Sequence, residues 1–557
     1  MGQAGGVVVT KDSEQSRSTA TGQVFARRAT GLVREVSPFS TFVFNMAAQP
    51  TAILLAVTVF LPVAFFPGGS LWLAFALTLA LALVLCLCYG LFTSAIPRSG
   101  GDYVLISRVI HPVVGVVSSF FWVAGVILVI AFIAQAFVQV ALGPSLTAVG
   151  LVSGDTSLVT AGEDLATSKW WQFGAGAALI LASAAMLSGG WRWTTRILNG
   201  LWAVMLLGLA TVFLVLLFKS QHGFVNSFNQ FAGSNPGEPT TYDSIISNAR
   251  QGGFDTSPAF SLDNTWPTMA AIAGLSIYGW LSIYISGEVR RAKDFSQVRI
   301  MSLATVVHIG IAALLVAVFV WKFGSEFLVA INSLGATGSE AYPFAAPPYY
   351  GFLTSIAGGS TLLSWWLFAS FAAAYPLLIL PNIAIAVRSF FAWAFDGLLP
   401  SRFARVSQRT HAPNNAIGLV VVLGIAVLYW AVENQEGFNK FLYEAVLLQL
   451  VTMILLSIAA ILLPYRQKEL WRASATTHRL MGVPTVALAG ALSGLLLVAL
   501  FFVYMRYPAL GIEDKGHFFR DCGIILAVAL GAFFVARSAR HRQGVDVDKI
   551  TMEIPPE

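Results

Sequence analysis

Charged residues are scarce in this sequence. Asp, Glu, Lys and Arg together make up 11% of its 557 residues, whereas hydrophobic residues make up 57%. Soluble globular domains carry about 25% charged residues, and the mean hydropathy here is +0.74. The composition therefore excludes a soluble globular protein. It predicts an all-α polytopic membrane protein, because each helical span needs about 20 residues and the chain has room for about a dozen.

Residues that could hold a metal or a cofactor are also few. The 3 cysteines, Cys86, Cys88 and Cys522, lie in or beside apolar spans, which is typical of small core residues and not of a disulfide framework or a metal site. The sequence has no His, Glu and Asp cluster with metal-ligand spacing, no nucleophile elbow and no Walker-type phosphate-binding loop. We therefore predict no metal, no cofactor and no enzymatic activity.

The net charge of +6 would indicate a nucleic-acid partner only if the basic residues shared one soluble face. They lie instead in short loops between apolar segments, and 25 of the 33 Lys and Arg residues fall on the side of the N-terminal tail. Positive charge accumulates on the cytoplasmic side of membrane proteins. The sequence therefore predicts a multi-pass protein of the plasma membrane with both termini in the cytoplasm, surrounded by the lipid bilayer and without a nucleic-acid partner.

The first apolar segment, Ser37–Phe65, is long enough to span a bilayer but has a polar, broken centre. Pro50 should kink or unwind the helix there, because it lacks a backbone N–H. Unwound backbone at membrane depth is tolerated where it lines a cavity, so this centre is a candidate substrate-binding segment. Its candidate residues are Asn45, Met46, Ala47, Ala48 and Gln49. The alternative is a kinked span whose amides only bond neighbouring helices. No cleavable signal peptide is visible, so this span is expected to direct insertion.

Eleven further apolar segments follow the first one. They are Leu71–Ser94, Pro112–Leu142, Trp171–Leu187, Ile197–Phe218, Trp266–Ser286, Ile300–Trp321, Thr361–Val387, Ala416–Val432, Phe441–Leu463, Val483–Tyr504 and Cys522–Val535. Five spans that begin inside end outside, so spans six to ten would begin on the opposite side from spans one to five. Two related units arranged in this way would form an inverted repeat, and the second broken helix should then be span six.

The predicted organisation follows from this count. It comprises a cytoplasmic tail (1–36), a first five-span unit (37–218), an extracellular loop (219–265), a second five-span unit (266–463), helices 11 and 12 with their loops (464–535) and a cytoplasmic C-terminal tail (536–557).

The centre of the sixth span is interrupted as well. Glycine lowers helix stability and lets the backbone approach a ligand, and aromatic faces suit an apolar group or, less well, a cation. The candidate substrate-binding residues are Gly274, Ser276, Ile277, Tyr278, Gly279 and Trp280. Glycine also serves close helix packing in membranes, which is the alternative. Two disrupted centres in corresponding spans favour a binding site between them.

Three predicted cytoplasmic loops carry recognisable motifs. In chain order they are Pro97-Arg98-Ser99-Gly100-Gly101-Asp102-Tyr103, Ser286-Gly287-Glu288-Val289-Arg290-Arg291-Ala292, and Arg388 with Asp396-Gly397-Leu398-Leu399-Pro400 and Pro413-Asn414-Asn415-Ala416. From Val36 to Leu463 the sequence resembles the amino acid–polyamine–organocation (APC) transporter superfamily. The resemblance implies a five-plus-five inverted repeat of the leucine-transporter type, followed by two further helices.

The resemblance implies that the protein is a secondary active transporter of amino acids or related small amine and organocation solutes. It would work by alternating access, with the small-molecule solute bound between the unwound centres of spans one and six. The chain departs from the family pattern, because amino acid carriers usually have a glycine-rich break in helix one. A non-amino-acid solute, such as a small carboxylate or a nucleobase-like molecule, is therefore an alternative. A channel is a remoter one, since no acidic pore ring and no carbonyl filter motif occurs.

Charged residues at the predicted inner ends of the helices are candidates for a gate, because an ion pair between moving helices could hold one state closed. These candidates are Arg98, Asp102, Glu288, Arg388 and Asp396. The alternative is that the arginines only anchor the topology.

Coupling is predicted from residues in spans five, seven and eight. His308 in span seven is a candidate proton-responsive group, and a neutral hydrogen-bonded histidine is the alternative. In sodium-coupled relatives of this fold, hydroxyls in helix eight complete an ion site, where this chain has Ala372-Ala373-Ala374-Tyr375-Pro376. Some proton-coupled relatives place a lysine of helix five in that space, where this chain has Met205. We therefore predict transport that does not depend on sodium, by proton coupling or by exchange.

Overall fold

The structure is a computed structural model that describes residues 31–233, 240–290, 292, 295–474, 477–512 and 514–543, with the backbone alone for residues 57–61. Within these residues, twelve helices are long and apolar enough to cross a membrane. The predicted all-α polytopic fold is therefore confirmed. Most of the predicted tails 1–36 and 536–557 lies outside the described residues, as does Arg291 of the second loop motif.

The spans are numbered 1 to 12 in chain order. They are Pro38–Ala56, Leu71–Ala95, Pro112–Ser153, Lys169–Ser188, Trp191–Phe218, Leu262–Glu288, Ser296–Phe323, Thr361–Phe395, Asn414–Glu433, Gln435–Arg466, Thr485–Arg506 and Lys515–His541.

Four of these spans consist of more than one helix. Span 1 contains Pro38–Ala47 and Thr51–Ile53 and continues through a π-helical turn, Leu54–Val59, into Phe60–Phe65. Span 3 contains Pro112–Ala136, a π-helical turn at Phe137–Leu142, and Gly143–Ser153. Span 6 contains Leu262–Ser276 and the 3-10 helix Leu281–Glu288, and span 8 contains Thr361–Ala372 and Ala374–Phe395.

Short elements connect the spans. The connecting α-helices are Gly101–Val109, Thr156–Thr167, Gln221–Gly233, Tyr242–Gln251, Ser325–Ala336, Tyr350–Gly358 and Lys468–Ala473, and the connecting 3-10 helices are Ser401–Ala404 and Pro508–Leu510. The antiparallel strands Arg479–Leu480 and Val483–Pro484 form a hairpin before span 11.

The predicted end of span 8 was wrong. The sequence placed Arg388 in the loop after this span, because a cation breaks the apolar run. In the structure the helix continues to Phe395, and Arg388 is a buried residue within it. The helix persists because the guanidinium pairs with a carboxylate of span 6, which compensates the charge.

An even number of spans places both ends of the described chain on the same side of the membrane. We call this side the near side; it carries residues 96–111, 289, 290, 292, 295 and 396–413. The other side, which carries residues 66–70, 434, 507–512 and 514, is the far side.

Spans 1 and 6 run antiparallel to each other. On the near side, the Val36 N–H donates to the Glu288 carbonyl (3.0 Å), and the Arg290 N–H donates to the Val36 carbonyl (3.0 Å). On the far side, the Ser261 N–H donates to the Gly68 carbonyl (2.8 Å). The start of span 1 therefore lies beside the end of span 6, and its end lies beside the start of span 6.

Candidate functional site

The helix of span 1 is interrupted at the predicted place. The first helix ends at Ala47, and the next begins at Thr51 after an extended Pro50 (φ −71°, ψ 119°). Proline cannot donate a backbone hydrogen bond, and it disfavours helical geometry in the residue before it. Residues 48–50 therefore lie outside the two helices of span 1. The second helix uses the Pro50 carbonyl as its first hydrogen-bond acceptor, because the Leu54 N–H donates to it (3.2 Å).

Span 6 is interrupted at the same depth. Its α-helix ends at Ser276, and a 3-10 helix begins at Leu281. Gly279 lies in the interruption, where a Cβ atom would overlap the Thr305 hydroxyl of span 7 and approach the Met301 carbonyl to 3.3 Å. A side chain at this position has no room, so glycine is required by the close approach of two backbones.

Asn45 joins the two interrupted spans. Its side-chain oxygen accepts from the Ser282 N–H (2.9 Å), and its amide nitrogen donates to the Ser282 hydroxyl (3.1 Å). The side chain is fully buried. Asn45 therefore satisfies a backbone group that the break in span 6 leaves without a helical partner.

His308 of span 7 contacts both breaks. Its Nδ1 lies 2.9 Å from the Thr51 hydroxyl of span 1, and its Nε2 lies 3.1 Å from the Ser276 hydroxyl of span 6. Hydroxyls both donate and accept, so they can pair with a neutral ring and also with a protonated one. The structure thus shows a buried, hydrogen-bonded histidine, and its proton-responsive role stays a prediction.

A cavity of about 380 Å³ extends from the two breaks toward the far side. Its wall is formed by spans 1, 3, 6, 8, 10 and 11 and by the segment after span 11. Near the far side it is bounded by Phe65 and Tyr443, whose side chains are 51% and 47% exposed. Ligand cavities commonly have about 300–1,000 Å³, so this space is large enough for a small solute.

Three of the eleven predicted substrate-binding residues line this cavity, namely Ala48, Gly274 and Tyr278. The other eight lie at the breaks, outside the cavity wall. They are Asn45, Met46, Ala47, Gln49, Ser276, Ile277, Gly279 and Trp280. The Trp280 ring, for example, packs between Tyr89 (4.6 Å between centroids) and Trp122 (5.5 Å). A direct role of these eight residues in binding stays a prediction.

Several residues of the cavity wall were not predicted as site residues. The Tyr278 hydroxyl of span 6 donates to the side-chain oxygen of Gln449 in span 10 (2.7 Å). The Tyr504 hydroxyl of span 11 donates to the Ala270 carbonyl (2.8 Å). Asn382 of span 8 donates to the Leu378 carbonyl of its own helix (2.9 Å). The isolated amides of Gln449 and Asn382 in apolar spans were the available sequence signal.

A second cluster of polar residues lies buried at the near side. Glu288 at the end of span 6 accepts two hydrogen bonds from the Arg388 guanidinium, 2.8 Å from Nε and 2.7 Å from Nη2. Both side chains are buried, with exposed fractions of 1% and 6%. This two-point geometry is the strongest arrangement of a carboxylate with arginine. It fastens span 6 to span 8, and the gating role of the two residues stays a prediction.

A neighbouring ion pair joins the helix Gly101–Val109 to span 8. Arg108 donates to the Asp396 carboxylate (2.6 Å), which also accepts from the Tyr103 hydroxyl (2.8 Å). Sequence reasoning identified Asp396 as a gate residue but missed Arg108 as its partner. We call these two ion pairs, together with Asp102 and Tyr284, the near-side seal.

Asp102 begins the same helix and contacts span 6. Its carboxylate accepts from the Tyr284 hydroxyl (2.8 Å), and the side chain is fully buried. Burial raises the pKa of Asp102 to about 7, against the lowering effect of the bond from Tyr284. Arg98, the remaining gate candidate, accepts a bond from the Ser286 hydroxyl at its backbone carbonyl (2.7 Å).

Tandem glycines bring this helix against span 6. Gly100 and Gly101 have φ of 115° and 52°, values that residues with side chains rarely adopt. A Cβ atom at Gly101 would overlap the Tyr284 ring. The glycines of the first loop motif therefore allow the contact between Asp102 and Tyr284.

These features define a class of protein: a polytopic helical membrane protein with two antiparallel broken spans beside one cavity. The model of the amino acid permease family matches residues 37–528. The chain therefore belongs to the amino acid permease family of the APC superfamily, as its loop motifs indicated. The family is one of transporters rather than enzymes. No curated protein matches the chain.

Proposed function

We propose that this protein is a secondary active transporter of the plasma membrane that carries amino acids or related small amine solutes by alternating access. The near side is the cytoplasm in this proposal. The observation that carries it is the cavity of about 380 Å³, which reaches the breaks of two antiparallel spans and lies beyond a buried seal on the near side.

The broken spans offer the groups that an amino acid needs. Helix ends leave N–H and C=O groups without helical partners, and the positive end of a half-helix attracts a carboxylate while carbonyls attract an ammonium group. The Gln49 amide at the span 1 break is fully buried, and both its polar atoms are without a hydrogen-bond partner among the described residues. A buried polar group without a partner costs about 1–3 kcal/mol, so a solute or water would stabilise it.

Alternating access requires the near-side seal to open while the far side closes. The seal connects span 6 with span 8 and with the helix Gly101–Val109. A movement of these spans would separate Glu288 from Arg388 and Asp102 from Tyr284. The seal favours a transporter over a channel, because a channel needs a continuous path. The antiparallel arrangement of spans 1 and 6 supports the inverted repeat of two five-span units that the sequence suggested.

Counterflow in proteoliposomes tests the proposal. Vesicles loaded with an unlabelled amino acid should accumulate the labelled form transiently, whereas a channel or an inactive protein would not concentrate it. The screen covers L-leucine, L-phenylalanine, L-lysine, L-glutamate, L-serine and putrescine. Absence of counterflow for all six, with folded protein in the membrane, would contradict the proposal.

A pair of glycine variants links transport to the cavity. Gly274 lines the cavity, where a Cβ atom would meet only the Tyr504 hydroxyl at 3.0 Å, so Gly274→Phe should fill the cavity and abolish counterflow. Gly418 of span 9 faces outward, and a Cβ atom there would meet nothing within 4 Å. Gly418→Phe is therefore the matched control, with transport retained.

A further inference from the structure

The electrostatic character of the cavity wall carries an inference about the solute. Among the described residues that line the cavity, none carries a charge. The wall is aliphatic and aromatic apart from the polar groups of Asn382, Gln449 and four tyrosines. Such a wall solvates an apolar group well and an ionised group poorly.

Some polar groups of the wall are bonded within the protein, whereas the Tyr375 hydroxyl and the Trp122 indole N–H have no hydrogen-bond partner among the described residues. The Tyr278 hydroxyl is bonded to Gln449, the Tyr504 hydroxyl to a backbone carbonyl, and the Asn382 amide to its own helix. A polar or charged solute group would have to compete with these internal bonds. The groups left over are neutral, so the wall can bond an uncharged polar group but offers no counter-ion to an ionised one.

The acidic and basic residues that neighbour the wall in sequence lie outside it and interact with other groups. Arg506, two positions after Tyr504, pairs with Asp263 (3.1 Å). Glu444 follows Tyr443 in span 10, but it lies outside the cavity wall and interacts with Asp521 and Arg520 of span 12. The charged groups of spans 6 and 8, Glu288 and Arg388, neutralise each other in the near-side seal. None of these charged or ionisable groups lines the cavity, so none is placed as the counter-ion of a solute side chain there.

We propose that the cavity selects amino acids whose side chain is uncharged and apolar, and that it excludes solutes with a further charge, such as lysine, glutamate and polyamines. This inference rests on the proposed function, and it specifies the solute class. The backbone groups at the breaks would serve the α-amino and α-carboxyl groups, while the side chain occupies the apolar part of the cavity. A larger apolar side chain binds better, because it buries more apolar surface.

Competition against labelled L-phenylalanine tests the inference in proteoliposomes. L-Leucine should compete at least roughly tenfold more strongly than L-alanine, because the extra methylene groups enter an apolar site. L-Lysine, L-glutamate and putrescine should compete on the order of 100-fold more weakly than L-leucine, because a buried unpaired charge is not compensated.

The outcomes separate this inference from the proposed function. Transport of L-lysine, L-glutamate or putrescine at an affinity similar to that of L-leucine would overturn the inference and leave the transporter function intact. Absence of transport and binding for every amino acid and amine in the panel would overturn the proposed function, and this inference with it.

Isosteric variants of the wall test its neutrality directly at pH 8. Gln449→Glu places a carboxylate in the wall, and the carboxylate can still accept from Tyr278. It should shift the preference toward L-lysine over L-phenylalanine by roughly tenfold or more, because a nearby opposite charge replaces a neutral amide. Gln449→Met has a similar length and no charge but removes the acceptor of the Tyr278 hydroxyl, so the affinity ratio measured for it separates the effect of the carboxylate from that of losing the amide.

Asn382→Asp repeats the test from span 8, on a different part of the wall. An unchanged ratio of L-lysine to L-phenylalanine affinity in both acidic variants, with transport of L-phenylalanine retained, would overturn the inference. If neither variant folds, as measured by gel filtration and thermal unfolding, the competition panel on the unmodified protein decides it.

Discussion

The near-side seal and the cavity wall differ in their charged side chains, which are concentrated in the seal. The seal buries five acidic or basic side chains, Asp102, Arg108, Glu288, Arg388 and Asp396, each at most 6% exposed. The cavity wall, among the described residues, has none. The same spans build both regions, since span 6 supplies Tyr278 to the cavity and Glu288 to the seal. Charge is costly at membrane depth, and in this protein it joins spans 6 and 8, which would separate in the proposed alternating access.

The largest expected effect comes from breaking one ion pair of the seal. Glu288→Gln or Arg388→Gln leaves one buried charge without its partner, which costs about 3–5 kcal/mol. We expect each single variant to lose most transport, measured as counterflow of L-leucine. The double variant Glu288→Arg with Arg388→Glu should regain part of it, because the charges again meet.

An exposed ion pair provides the control for this experiment. Lys440 and Glu436 of span 10 are 2.8 Å apart, and their side chains are 58% and 84% exposed. Glu436→Gln should change transport little, since exposed pairs contribute about 0–1 kcal/mol. If no charge-reversed double variant recovers activity, the arginines act as topology anchors instead.

A smaller loss is expected from crowding the break in span 6. Gly279→Ala places a Cβ atom where the Thr305 hydroxyl lies, and overpacking of this kind costs about 1–3 kcal/mol. Transport should fall, and Thr305→Ala in the same protein should restore part of it by removing the overlapping oxygen. Gly310→Ala of span 7 is the control, because a Cβ atom there meets nothing within 4 Å. Equal transport by Gly279→Ala and the control would show that the break tolerates side chains.

The pH dependence of the seal should be smaller still. In the sealed state the pKa of Asp102 is about 7, above the usual value of 3.8, because burial disfavours the charged form. The sealed state therefore holds a proton that an open, solvated Asp102 would release. The sealed state is fully favoured below pH of about 4 and is weakened as the pH rises through 7, with about a tenfold change in the equilibrium between pH 6 and 8.

Asp102→Asn tests this dependence, because asparagine is neutral at every pH and its oxygen can still accept from Tyr284. The unfolding temperature of the unmodified protein in detergent should be lower at pH 8 than at pH 6. In Asp102→Asn the difference between the two pH values should be smaller. Other polar groups also contact this helix: Ser118 donates weakly to Asp102 (3.5 Å), Arg108 pairs with Asp396, and the Gln467 amide donates to the Arg108 carbonyl (2.7 Å). If Asp102→Asn shows the same pH dependence of the unfolding temperature as the unmodified protein, a group other than Asp102 causes that dependence.

The sequence predicted the breaks in spans 1 and 6, because the residue types at these positions determine the backbone geometry. Pro50 and Gly279 mark the breaks because backbone geometry demands those residue types. The cavity wall was not predictable in this way, because lipid and protein interior are equally apolar. Leu378, which lines the cavity, differs in no local feature from leucines that face lipid. Arg108 and Asp396 are 288 positions apart, and only the folded chain shows that they pair.

The smallest expected effect is that of removing sodium, which we predict to leave transport unchanged. A sodium ion needs several oxygen ligands at short range, and the stretch of span 8 that follows Ser370 begins with Phe371, Ala372, Ala373 and Ala374. In the structure the Ser370 hydroxyl donates to the Leu367 carbonyl of its own helix (3.0 Å) and lies beside Gly208 of span 5, and the alanines that follow Ser370 supply no side-chain oxygen. Met205 of span 5 is buried, and its thioether is a poor ligand for a hard cation.

Replacing sodium with choline at fixed pH and membrane potential should therefore leave L-leucine uptake into proteoliposomes unchanged. If most of the uptake is lost on this replacement, oxygen ligands from elsewhere in spans 1 and 8 must form a sodium site.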